Sequence, residues 1–138
     1  MTEQLKEHIS RWLGKGIRYD GRKADEFRPL SVELGVSKNA EGSARVKFGD
    51  SEVIAGVKLS VEEPYPDTPE EGNFIVGEEL LPISSPAFEA GPPDELAIKI
   101  ARIVDRGIRE SKAVDMRKLC IEPWKKVWCI SLDVCTIN

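Results

Sequence analysis

The segment from Val127 to Ile137 narrows the possibilities more than any other part of the sequence. Trp128, Ile130, Leu132 and Val134 alternate there with Cys129, Ser131, Asp133 and Cys135, the period-two pattern of an extended strand. A strand this long needs neighbours along its edges and cover on at least one face. It runs to Asn138 with no terminating turn, so the sequence reads as the first part of a longer domain whose remainder would supply that cover.

The elements available to partner it follow from local patterns. Residues 1–14 form an amphipathic helix: Thr2 opens it, Leu5, Ile9, Trp12 and Leu13 share one face, and Gly14 and Gly16 close it. Residues 31–81 supply four strands, at Ser31–Val36, Ala44–Phe48, Val53–Val61 and Asn73–Leu81, the first three as an antiparallel meander. An acidic, proline-rich exposed loop, Glu62–Gly72, separates the third from the fourth. Residues 94–112 form a second helix, started by Pro92-Pro93-Asp94-Glu95, with Leu96, Ile100, Ile103, Val104 and Ile108 as the expected buried stripe. Residues 119–137 form a hairpin around Pro123-Trp124-Lys125-Lys126, with Trp124 expected to cover it. The order is helix, four strands, helix, two strands, which is α+β.

Composition limits what such a chain does. With 138 residues, 41% hydrophobic and 32% charged, it forms one modest globular core. No stretch has the ~20 apolar residues of a membrane helix, and the N-terminus lacks a basic-then-apolar leader pattern; the expectation is a cytoplasmic protein without a membrane partner. The net charge of −4 argues against nucleic acid as its sole partner but permits a local basic patch. Cys120, Cys129 and Cys135 form no CxxC pair and suit a reducing compartment, serving as small apolar residues. With His8 the one histidine, a zinc site is not expected, and no cofactor is implied.

No complete catalytic constellation is present: no Walker loop, GxGxxG, HExxH or GxSxG, and no Cys–His pair suited to nucleophilic chemistry. Asp50, Asp105 and Asp133 are the carboxylates best set in regular structure, and solvation or ion pairing accounts for them. Arg102, Arg106 and Arg109 are spaced four and three apart on the second helix, so they share one face. Three guanidiniums there suit bidentate contact with phosphate; the plainer alternative is a solvated face neutralised by Asp105 and Glu110. A second cluster, Arg18, Arg22 and Lys23 with Asp20 and Asp25, reads as an ion-pair network.

Ordered short motifs carry a family resemblance. Gly16-Ile-Arg-Tyr-Asp-Gly-Arg22, Arg28-Pro29-Leu30, Gly42-Ser43-Ala44 and Gly49-Asp50-Ser51 closely resemble the opening of RNase PH family proteins. Pro64-Tyr65-Pro66-Asp67-Thr68-Pro69, Glu79-Leu80-Leu81-Pro82, Gly91-Pro92-Pro93-Asp94, Val104-Asp105-Arg106 and Ile121-Glu122-Pro123 resemble the non-catalytic RNase PH-like subunit of the archaeal exosome. The resemblance runs from about Gly16 to the end.

That resemblance implies an α+β fold with a mixed sheet, packed helices and a left-handed βαβ crossover, against the general right-handed rule. It implies a hexameric ring shared with a catalytic RNase PH-like subunit, RNA-binding cap subunits, and single-stranded RNA trimmed from its 3′ end by phosphate. It implies a non-catalytic role: acids at Glu78-Glu79 stand where active subunits carry arginines, and the family's phosphate loop and catalytic aspartate lie beyond Ile137. Arg102 and Arg106, with Arg109 in addition, match arginines that face the RNA path, while Arg18 and Arg22 keep the structural reading. The competing reading is an independent phosphorolytic exoribonuclease of the RNase PH type.

Overall fold

A computed structural model describes residues 3–18 and 20–138; the expected start signal Thr2, with Met1 and Tyr19, lies outside them. The chain divides into two compact units, Met1–Leu30 and Ser31–Asn138, each described by itself.

In the first unit, helix α1 (Glu3–Leu13) has no buried residue, so its apolar stripe is formed but not sunk into a core. It ends as Gly14 N–H bonds Ser10 O at 2.9 Å and Gly16, at φ +72°, bonds Leu13 O. Trp12 Nε1–H donates to His8 Nε2 at 3.1 Å. Beyond it, Ile17 bridges Lys23 and Gly21 closes a tight turn at φ +81°.

The second unit is a mixed sheet of β1 (Leu30–Leu34), β2 (Gly42–Phe48), β3 (Ser51–Glu62), β4 (Asn73–Leu80), β5 (Cys120–Glu122) and β6 (Lys126–Thr136). The strand order is β1-β2-β3-β6-β4, with β5 also paired to β6. The last strand is thus interior, antiparallel to β3 and parallel to β4. Parallel pairing of β4 with β6 requires a crossover, which α2 (Glu95–Ser111) and a 3₁₀ turn (Met116–Leu119) provide. The alternation foreseen for β6 is present. Ile130, Leu132 and Val134 lie beside Leu59, Val57 and Ala55 of β3, whereas Cys129, Ser131 and Asp133 lie beside Ser60, Lys58 and Gly56.

Helix α2 lies on β4. Asp94 caps its start by accepting the Ala97 N–H at 2.7 Å, which satisfies one of the free donors of the first turn. Lys112, at φ +53°, ends it with an N–H bond to Arg109 O. The fully packed apolar residues are Phe74 (β4), Ala97 (α2), Val127 and Cys129 (β6). Two expected members of the α2 stripe are corrected: Leu96 and Ile103 are exposed, Ile103 by 71%. The small residue Ala97 makes the close approach to the sheet, which turns Leu96 and Ile103 onto the helix flank.

Candidate RNA interface

The three arginines of α2 share a face but not an environment. Arg109 is taken up by the fold. Its Nε lies 3.0 Å from Asp105 Oδ2, its Nη2 donates to Phe74 O at 2.8 Å, and its guanidinium stands 5.7 Å from the Phe74 ring centre. Arg106 points to solvent, with Glu110 one turn on at 3.9 Å. Arg102 is exposed at the rim of a cleft of about 400 Å³ between β4 and α2, floored by Phe74, Val76 and Glu78. Among the described residues it has no hydrogen bond or ion pair. Arg102, and Arg106 with only the long Glu110 contact, therefore present exposed guanidiniums on a helix whose start is capped by Asp94.

At the C-terminal end of β4 the chain carries acid. Glu78 is 3% exposed, and the Thr136 hydroxyl donates to its Oε1 at 2.8 Å. Burial pushes its carboxyl above the ordinary range, and the Thr136 bond offsets part of this. Glu79 points to the opposite face and accepts from the Cys135 thiol. The cavity beyond, about 450 Å³, is lined by Glu78, Glu79, Glu89 and Asp94 among apolar and proline residues. Ionised carboxylates around this cavity disfavour an anion there, in contrast to the exposed guanidiniums of Arg102 and Arg106. Sequence reasoning missed the burial of Glu78; its place in phase with Phe74 and Val76, on the face that receives α2, is the available signal.

The Arg18 and Arg22 cluster keeps a structural role, but backbone carbonyls hold most of it and the expected ion-pair network is reduced to one pair, Arg22 with Asp20. Arg18 Nη2 donates to Ala24 O, Arg22 Nη1 to Glu26 O at 2.8 Å, and Arg22 Nε to Asp20 Oδ2 at 2.7 Å. The Arg22 bond holds the Asp20 carboxyl below its usual range. Both arginines tie one loop to itself. The three cysteines are free thiols. Burial, reinforced by Glu62, pushes the Cys129 thiol up, and burial with Glu79 does the same at Cys135, which suits packing rather than nucleophilic chemistry. Among the described residues no cluster of His, Cys, Asp or Glu is arranged to hold a metal ion, and no helix is long and apolar enough to cross a membrane.

Trp124 does not cover the hairpin, as its position had suggested. It sits at φ +68° with its side chain exposed, held by an N–H bond to Pro69 O at 3.1 Å.

The six-stranded mixed sheet with its parallel β4–α2–β6 crossover has counterparts among known proteins. Residues 26–138 match the RNase PH family, described as the 3′ exoribonuclease family, domain 1; the chain belongs to that family. More particularly, it is 55% identical over 134 residues to the exosome complex component Rrp42 of Methanocella arvoryzae, covering 97% of this chain and 52% of that protein. Rrp42 of Saccharolobus solfataricus is 54% identical over 133 residues, with 96% and 48% covered. Among solved structures, the Archaeoglobus fulgidus exosome with RNA bound to the active site contains a chain 50% identical, with a TM-score of 0.91, over 96% of this chain and 52% of its own. An archaeal exosome core contains another at 45% identity and a TM-score of 0.83, over 96% and 49%. The chain spans about half the length of the curated relatives it matches.

Proposed function

We propose that these residues form part of a non-catalytic, RNA-contacting subunit of an archaeal exosome. In this role the subunit pairs with a catalytic RNase PH-like subunit in a hexameric ring, below RNA-binding caps, and shapes the path of single-stranded RNA during phosphate-dependent 3′-to-5′ trimming in the cytoplasm. The observation that carries the reading is the pair of exposed guanidiniums on α2, Arg102 and Arg106, with Arg102 at the rim of a mostly apolar cleft. Similarity to Rrp42 across nearly the whole chain and to an exosome subunit solved with RNA supports it.

Phosphorolysis needs a bound inorganic phosphate beside the scissile diester and a group to manage the proton. Glu78 is buried and bonded to the Thr136 hydroxyl, and neither it nor Glu79 is a cation that could hold phosphate. The contribution available to Arg102 and Arg106 is electrostatic: they neutralise RNA phosphates and align the strand for a site on the neighbouring subunit. The test has two parts. This chain, incubated with labelled single-stranded RNA in phosphate, releases no nucleoside diphosphate. A hybrid in which it replaces the matched half of Methanocella arvoryzae Rrp42 co-elutes with the catalytic subunit as a ring. Processive diphosphate release by the chain alone establishes the independent exoribonuclease instead.

A further inference from the structure

The cavity of about 450 Å³ at the C-terminal end of β4 has a make-up that RNA contact does not use. Leu80, Leu81, Phe88, Pro92 and Pro93 give it apolar walls, Glu78, Glu89 and Asp94 bring carboxyl groups to it, and no lysine or arginine lines it. The acids differ in depth: Glu89 and Asp94 are exposed, whereas Glu78 is buried. They differ also in what holds them. Asp94 is committed through Oδ1 to the Ala97 N–H. Glu79, the fourth acid beside the cavity, turns to the Cys135 thiol. Glu78 uses Oε1 alone, to accept from the Thr136 hydroxyl, and among the described residues its Oε2 has no hydrogen bond.

A buried carboxyl with a free oxygen is costly unless something meets it. Burial raises the Glu78 carboxyl because its charged form is poorly solvated, and the Thr136 hydroxyl is the one group that opposes this. The chemistry of the walls selects what can meet Oε2. An anion is repelled. Among the described residues no set of His, Cys, Asp or Glu is arranged to hold a metal ion, and apolar walls give a hard cation no oxygen ligands. A neutral apolar molecule fills the walls and leaves Oε2 unmet. A cationic head on a hydrocarbon stem satisfies both, with a charge-assisted bond at one end and apolar contact along the other. The first turn of α2 borders the cavity, and Asp94 and Glu95 there offset the positive end of the helix dipole.

We propose that this cavity binds a guanidinium or ammonium group carried on a short methylene chain, the head donating to Glu78 Oε2 and the stem lying against the leucine, phenylalanine and proline walls. Two sources offer this chemistry: an arginine or lysine side chain of a neighbouring subunit, and a free alkyl amine or guanidine. Exposed Glu89 and Asp94 draw the cation toward the opening, and buried Glu78 holds it. The inference is independent of RNA contact, which uses Arg102 and Arg106.

The test is a chemical-shift titration of this chain at neutral pH, with n-butylguanidinium and n-butylammonium as probes and n-butanol as the neutral control. The expected result is saturable shifts of the Glu78 and Ala97 amides with both cations at concentrations up to about 50 mM, a range suited to ligands of so few atoms, and none with butanol. Glu78→Gln should weaken binding about tenfold, because it removes the charged acceptor, while Glu110→Gln, at the far end of α2, leaves binding unchanged. Repeating the titration on the ring assembled with the hybrid subunit separates the two sources. Binding retained in the ring assigns the cavity to a free alkyl cation. Binding lost in the ring, together with a ring that Glu78→Gln loosens, assigns it to a neighbouring subunit's side chain; binding lost in a ring indifferent to Glu78→Gln overturns the proposal. So does the absence of saturable shifts with either cation, equal binding of butanol, or undiminished binding by a Glu78→Gln chain with unchanged circular dichroism.

Discussion

Arg109 closes the free edge of β4 by donating from Nη2 to the Phe74 carbonyl at 2.8 Å, while Asp105 holds its Nε from one helical turn back. An open edge strand is a template for unwanted pairing, and here a helix side chain occupies one of its acceptors. Arg109→Ala should therefore cost about 1–2 kcal/mol of stability, the range for a charge-assisted bond with partial exposure. Arg106→Ala, whose partner is distant, should stay within about 0.5 kcal/mol. Chemical denaturation of the two variants checks the contrast.

Glu78 makes stability depend on pH in the less common direction. Its folded carboxyl lies above its unfolded value, so the native state binds the proton more tightly. The associated stability is complete below the unfolded value and is lost as pH rises through the folded one. Glu78→Gln keeps the shape and cannot ionise, so it should melt higher than wild type at neutral pH, and the advantage should vanish in acid below the ordinary carboxylate range. Melting curves across that interval check it.

Trp124 occupies a left-handed backbone position in which a side chain costs about 1 kcal/mol or more, and its indole is 69% exposed. Trp124→Gly should leave the melting temperature unchanged or raise it by a few degrees. A clear drop would mean that the indole packs on its own chain.

Gly72 is the opposite case. A Cβ there would meet the Leu119 side chain and lie 2.7 Å from Trp128 O, at the point where Gly72 N–H bonds Met116 O. Gly72→Ala should cost about 1–3 kcal/mol through overpacking, measurable as a lowered denaturation midpoint.

Much of this was legible in the sequence where one rule acted alone. The alternation in β6, the Pro-Pro-Asp start of α2 and the Asp20-Gly21 turn each follow from local preference, and the structure keeps them. Ranking within α2 was not legible. Leu96 and Ile103 share the helical period with Val104 and Ile108, and periodicity cannot tell a stripe packed on its own sheet from one left open. The same holds for the arginines: spacing places three on one face, but only the position of the Phe74 carbonyl, set by tertiary packing, separates Arg109 from Arg102 and Arg106. Glu78 escaped notice because a carboxylate in a strand reads as a solvated one until a neighbouring helix covers it.

The most direct test of the RNA-contacting role is a salt titration of single-stranded RNA binding by the ring assembled from the hybrid subunit and its catalytic partner. Neutralising one phosphate fewer lowers the slope of log affinity against log salt by about 0.7 for a single strand. Arg102→Ala and Arg106→Ala should each flatten the slope by about that much, equally for unrelated RNA sequences and with unchanged thermal stability. An unchanged slope in both variants would contradict the account.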